Sequence, residues 1–189
     1  FRLLGRRGLI AAVLAVPVLA AGLYFGSPAI RERIVESAGH IAEFQAGHPE
    51  TGDGVRLEFW RNTVGLIRQH PVFGGGTGSY AFEYRQLAER EGLTGERLSD
   101  NPHNEYLLIA SQQGLIGIAL FLALWVVQWR ASAQLSPTER HLNRGLVLLM
   151  VVGDLFNSFI LDNLEGHFYV LLTVALCAGW SRARDGFRN

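Results

Sequence analysis

Three stretches of the chain have residue types and spacings suited to proton and phosphate chemistry. His103 stands in Asn101-Pro102-His103-Asn104-Glu105-Tyr106-Leu107. Asn101 is a good helix N-cap and Pro102 a favoured first helical residue, so His103 is expected in the first turn of a helix. There the helix dipole favours an anion and disfavours the imidazolium, leaving a ring able to accept a proton. The bland alternative is a capping histidine that only hydrogen-bonds to its loop. Arg56 opens a second stretch, which reads at 100° per residue as an amphipathic helix from Arg56 to His70. Leu57, Trp60, Val64 and Ile67 lie on one side, and Glu58, Arg61, Gly65 and Arg68 on the other. Arg56 falls on the apolar side. A guanidinium is always charged and costly to bury alone, so it should meet a carboxylate or a phosphate, unless it snorkels out from the first turn.

The third stretch is Gly74-Gly75-Gly76-Thr77-Gly78. Consecutive glycines let backbone N–H groups close on an anion, as a lipid phosphate would require. They equally mark a tight turn packed against a helix. A nucleotide phosphate loop is excluded, because the chain has no lysine and no strand precedes the glycines. Further along, Asp154, Ser158, Asp162 and Glu165 recur at spacings of four, four and three. On one helix they form a polar face that must meet protein or water rather than lipid, with helix–helix hydrogen bonding an adequate role for Asp154. His167 is expected near the outer level of His103.

The elements that position these residues are read from charge and hydropathy. The 189 residues carry 17 arginines against 17 acidic residues, so no net charge is available to hold nucleic acid. A single cysteine, Cys177, in an apolar run leaves no basis for a disulfide framework or a structural zinc. The chain opens with Phe1 in an arginine-rich stub and is expected to be part of a longer protein. Charge-free runs from Gly8 to Ile30 and from Tyr106 to Trp129 are each long enough to cross a bilayer. The expected fold is all-α, a polytopic transmembrane helical bundle with a large, mostly helical loop. Its spans are expected at 8–30, 103–129, 145–164 and 166–181, with the large loop at 31–102 and a second loop at 130–144. Arg2, Arg6 and Arg7, then Arg130, Arg140 and Arg144, then Arg182, Arg184 and Arg188 flank these spans. The positive-inside rule puts all three groups in the cytoplasm and the large loop outside. Within that loop three amphipathic helices are expected, at 29–46, 56–70 and 79–91, followed by a flexible connector from Gly92 to Asp100. Trp125, Trp129 and Tyr106 are expected as interfacial anchors.

With these residues in view, the chain resembles the bacterial O-antigen ligase and polymerase superfamily. The likeness runs through Arg56-x-x-x-Trp60, the His70-Pro71 segment ending at Gly78, Pro102-His103-Asn104-Glu105-Tyr106-Leu107 and Gly114-Leu115-Ile116-Gly117. Asn157-Ser158 through His167 looks like the ligase-type C-terminal region. The resemblance implies an inner-membrane glycosyltransferase with its site facing the periplasm. The donor would be a glycan on undecaprenyl diphosphate and the acceptor a hydroxyl of lipid A-core or another molecule. Neither metal nor cofactor is implied. It further implies that Arg56 contacts the diphosphate and that His103 is the base or orients the acceptor. Asn104, Trp60, Gly74, Gly76, Gly78 and Asp162 are the expected substrate-binding residues. The family's additional upstream arginine has no counterpart in this sequence. Polymerisation of repeat units and transfer to protein share these motifs, and a non-catalytic lipid-glycan transport module is the reading from a different class.

Overall fold

The computed structural model describes residues 6–48 and 52–185, with side chains for 14–15, 17–48 and 52–178; Arg2 and Arg188 lie outside the described residues. The described residues form seven α-helices in order: α1 (Arg6–Gly26), α2 (Pro28–Gln45), α3 (Gly52–Gln69), α4 (Ser79–Glu91), α5 (Glu105–Ala131), α6 (Pro137–Gly153) and α7 (Asn163–Asp185). The described residues contain no strand, so the all-α expectation holds. Among them one helical stretch, Glu105–Gln134, is long and apolar enough to cross a membrane, and Pro17–Gly26 and Asn163–Ala178 are shorter apolar helices.

The chain divides into two compact units, Phe1–Gly54 and Val55–Asn189. In the first, Ser27 ends α1 before the expected Ile30. Its hydroxyl accepts from the Ile30 N–H and Pro28 takes the first helical position, so α2 starts where the expected span would still be continuing.

The second unit has two apolar cores. Val55, Phe59 and Leu66 of α3, Tyr80 and Tyr84 of α4, and Leu108 of α5 form one. Phe121 and Trp125 of α5, Leu146, Val147 and Met150 of α6, and Tyr169 of α7 form the other. Each such side chain contributes about 1.5–3 kcal/mol when fully withdrawn from water. Edge-to-face contacts run from Phe121 to Trp125 and on to Tyr169. Trp125 is thus a core residue, only 4% exposed, rather than an interfacial anchor. Beside it Gln128 donates to Asn143 (3.0 Å) and Thr173 (3.2 Å) and accepts from the Tyr169 hydroxyl (2.6 Å), a buried polar knot that ties α5, α6 and α7.

α5 is broken. Gly114 sits at φ 64°, ψ −158°, a conformation essentially confined to glycine. The loop after α3 fills the break: Gly75 and Gly76 N–H donate to the carbonyls of Ser111 and Gln112 (2.9 Å each), while Leu115 N–H donates to Pro71 (2.9 Å) and Ile116 N–H to Val72 (3.4 Å). Leu108 and the first core lie before the break, Phe121, Trp125 and the second core after it.

Two further expectations change. The Gly92–Asp100 connector is ordered. It contains a 3₁₀ turn at Gly95–Arg97, and the Arg97 guanidinium grips the fully buried Glu58 with two bonds of 2.5 and 2.7 Å. The expected span at 145–164 is not one helix, because α6 ends at Gly153, Asp154 is its C-cap, and turns lead to Asn163.

Candidate functional site

α3 turns a different face inward from the expected one. Val55, Glu58, Phe59, Asn62, Thr63 and Leu66 are its buried side chains beyond Gly54, spaced three and four apart. The polar members of that stripe have partners brought by other elements. Asn62 donates to the Tyr84 hydroxyl (3.4 Å), Thr63 donates to the Phe59 carbonyl (2.6 Å) and accepts from the Tyr80 hydroxyl (3.3 Å), and Glu58 meets Arg97. Burial pushes the Tyr80 and Tyr84 phenols above their ordinary range. Arg56 is therefore exposed rather than aimed at the core, and among the described residues no acidic side chain pairs with it. Trp60, one turn on, is half-buried and donates its Nε1–H to the Pro102 carbonyl at 3.0 Å, which fastens α3 to the histidine-bearing turn.

That turn lies outside α5. The N-cap is Asn104, not Asn101: the Asn104 Oδ1 accepts from Leu107 N–H at 3.0 Å, so His103 precedes the helix. Both asparagines suit a cap by composition, and the choice is made by what Asn101 does instead. Its Oδ1 accepts from His103 N–H and from the Ser158 hydroxyl, at 2.8 Å each. His103 sits at φ 53°, the one positive φ at a non-glycine residue among those described. A left-handed non-glycine residue costs roughly 1–3 kcal/mol and persists where its surroundings over-determine it. Those surroundings are the 151–162 segment. Asn104 donates to Leu155 O (2.9 Å), Glu105 N–H to Asp154 O (2.9 Å) and Tyr106 OH to Val151 O (2.9 Å). The His103 ring is partly exposed, with its centroid 6.1 Å from that of Phe59. Its Nδ1 lies 3.1 Å from Asn157 Oδ1, and Asn157 Nδ2 donates to Asp162 Oδ2 at 2.6 Å.

The expected acidic stripe is dispersed by the turns after α6. Asp154 is fully buried at the end of α6, Ser158 serves Asn101, Asp162 holds Asn157, and Glu165 lies in the first turn of α7. His167 bonds to the Asn163 carbonyl in its own helix and does not meet His103.

The glycines serve the close approach to α5 rather than an open anion cradle. Gly74, Gly75, Gly76 and Gly78 all spend their N–H groups on protein acceptors: His70 O, Ser111 O, Gln112 O and the Gln112 side chain. A Cβ on Gly74 would overlap the Gln112 carbonyl, and one on Gly114 the Val72 carbonyl. A cleft of about 480 Å³ lies elsewhere, lined by Trp60, Arg61, Val64, Arg68, Asn104, Tyr106 and Leu107. Of these only Trp60 and Asn104 were expected as substrate-binding residues. Arg61 and Arg68 were read as the solvated side of α3, and their seven-residue spacing, two helical turns, is the signal that they share a face. Asn157 entered only as part of a motif, since nothing local marks it as a partner of His103.

An uncharacterized protein of Haemophilus influenzae strain Rd is 28% identical over 86 residues, which cover 44% of this chain and 22% of that protein, so the aligned stretch spans about a fifth of its relative. The family model described as O-antigen ligase matches residues 1–122, a segment that contains α3, the glycine loop, His103 and the break in α5. The chain belongs to the O-antigen ligase family.

Proposed function

We propose that this chain carries proton-accepting and diphosphate-facing groups of a membrane glycosyltransferase, which moves a glycan from undecaprenyl diphosphate to an acceptor hydroxyl on the periplasmic side of a bacterial inner membrane. Ligation of O-antigen to lipid A-core is the favoured reaction. Polymerisation of repeat units and transfer to protein are the same chemistry with another acceptor. The observation that carries the reading is the His103 turn. A strained, partly exposed histidine has its backbone N–H and Nδ1 both engaged, and Nε2 has no partner among the described residues.

In the reaction the acceptor oxygen attacks the anomeric carbon as the carbon–oxygen bond to the diphosphate breaks. The hydroxyl proton passes to His103 Nε2, and undecaprenyl diphosphate departs with the electron pair. Arg56, exposed and without an acidic partner among the described residues, would meet that departing charge in this reading, and Arg68, which lines the cleft, would add a second cation. Trp60, Val64, Tyr106 and Leu107 give the cleft apolar walls suited to the first isoprene units. The glycines support this site by holding the loop against α5.

The test is transfer in membranes, with products resolved as glycan on acceptor, glycan on lipid diphosphate, and free diphosphate lipid. His103→Ala should lower transfer by about 10²- to 10⁴-fold, the scale of general base catalysis, with donor binding retained. Arg56→Lys should lose most activity, because a point charge does not replace a fork of donors. Near wild-type transfer by His103→Gln would refute the base role. Movement of the lipid-linked glycan with its diphosphate bond intact would favour the transport module.

A further inference from the structure

We propose that Asn157 and Asp162 are positioning residues that set the tautomer of His103, keeping the proton on Nδ1 and the lone pair on Nε2. The argument starts at Asp162, because a carboxylate only accepts hydrogen bonds. Its Oδ2 lies 2.6 Å from the terminal amide of Asn157, so the NH₂ end of that amide must face Asp162; the opposite orientation would set two acceptors against each other. With the NH₂ end committed, the carbonyl oxygen of Asn157 faces His103 Nδ1 at 3.1 Å. An oxygen acceptor there requires Nδ1 to carry the hydrogen. The free neutral histidine side chain in water prefers its hydrogen on Nε2, so the relay selects the less common form and leaves Nε2 unprotonated.

A second contact from the same turn supports the assignment. Ser158, fully buried, donates to Asn101 Oδ1, the acceptor that also takes the His103 backbone N–H. Adjacent residues thus hold the ring through Asn157 and the left-handed backbone through Ser158. The chain Asp162, Asn157, His103 works as outer partners of a working histidine do elsewhere, fixing the tautomer and aiming the ring through the nitrogen that does not react. Asp162 accordingly reaches the acceptor only through two other side chains.

The consequence for the reaction rests on the reading of His103 as the proton acceptor, whereas the tautomer is measurable without it. The full chain, labelled with ¹⁵N-histidine in lipid nanodiscs, gives ring nitrogen signals that report the tautomer, with the His103 signals assigned by their loss in His103→Gln. Wild-type protein should show the Nδ1–H form. Asn157→Leu and Asp162→Asn should both move His103 toward Nε2–H. The exchange Asn157→Asp with Asp162→Asn, in which the new amide donates to a carboxylate that now faces Nδ1, should restore Nδ1–H. Glycan transfer should fall about 10- to 100-fold in either single variant, the scale of outer-shell losses, and largely recover in the exchange. An unchanged tautomer in Asp162→Asn overturns the positioning role, whatever the activity. A changed tautomer with unchanged transfer leaves the relay standing and removes His103 from the role of base. Should Asn157→Leu fail to insert, Asp162→Asn and the exchange, which keep a polar side chain at both positions, decide the matter.

Discussion

Replacing Gly114 by alanine puts a number on the joint between α5 and the glycine loop. Two costs add. A residue with a Cβ at φ 64°, ψ −158° is forced into a region almost empty of other residues, which costs on the order of 1–3 kcal/mol. The new methyl also meets the Val72 carbonyl and lies 2.6 Å from the Phe73 nitrogen, backbone atoms that cannot rotate aside. The loop must withdraw, which weakens the four backbone bonds that seat it at Ser111, Gln112, Leu115 and Ile116. Losing two of them at about 1 kcal/mol each brings the total to roughly 3–5 kcal/mol. For a chain of this size that corresponds to a fall in Tm of about 6–20 °C, at 2–4 °C per kcal/mol. The assay is thermal unfolding in nanodiscs, with Gly76→Ala as the control. Gly76 also has a positive φ, 111°, but a Cβ there meets nothing within 4 Å, so only the conformational cost applies. If Gly114→Ala and Gly76→Ala unfold within about 1 kcal/mol of each other, the close approach carries no energy and the account of the joint is wrong.

Two further predictions follow from features outside the joint. Arg97→Ala leaves the wholly buried Glu58 carboxylate with the exposed Arg61, at 3.4 Å, as its ion-pair partner among the described residues. Because Arg97 is 31% exposed, the loss should fall at or just below the usual range for breaking a buried pair, about 2–3 kcal/mol by chemical denaturation. Glu58→Leu with Arg97→Met should lose much less, and equal losses would show that the charge itself is not what matters. Cysteines at Gln45 and Gln134 in a Cys177-free background should label from outside and only after permeabilisation, respectively; the reverse pattern overturns the proposed orientation.

How much was legible in the sequence depends on whether the deciding partner is local. The helix expected from Ser79 to about Glu91 is found there, and the glycines on either side of it, Gly78 and Gly92, both adopt left-handed backbone at its ends, a local signal. The inward face of α3 was misread for a non-local reason. The helix carries two apolar stripes, and the one with Glu58, Asn62 and Thr63 is buried because Arg97, Tyr84 and Tyr80 arrive from elsewhere to satisfy it. Asp154, Ser158 and Asp162 imitate a helical face through their spacing of four, yet Gly153-Asp154, Asn157-Ser158 and Asp162-Asn163 are turn-forming pairs, and that signal was present. Trp60 and Asn104, expected as substrate-binding residues through the resemblance, line one cleft, and Trp60 bonds to Pro102 beside the histidine. The link from His103 to Asn157 spans 54 residues, and no local pattern encodes it.

The break at Gly114 has a mechanical consequence. In an unbroken helix of this length, a change of tilt at one end is delivered rigidly to the other. Here the helical ladder is interrupted, and the loop takes over the backbone groups at the interruption. The half that contains Phe121 and Trp125 packs against α6 and α7, and the half that begins at Glu105 packs against α3, α4 and the 151–162 segment, with Tyr106 edge-to-face on Phe121 across the break. Helices adjust to bilayers of different thickness chiefly by tilting. Tilt in the second half can flex at the joint, and the edge-to-face contact of Tyr106 with Phe121 is the route by which it would still reach the turn that carries His103.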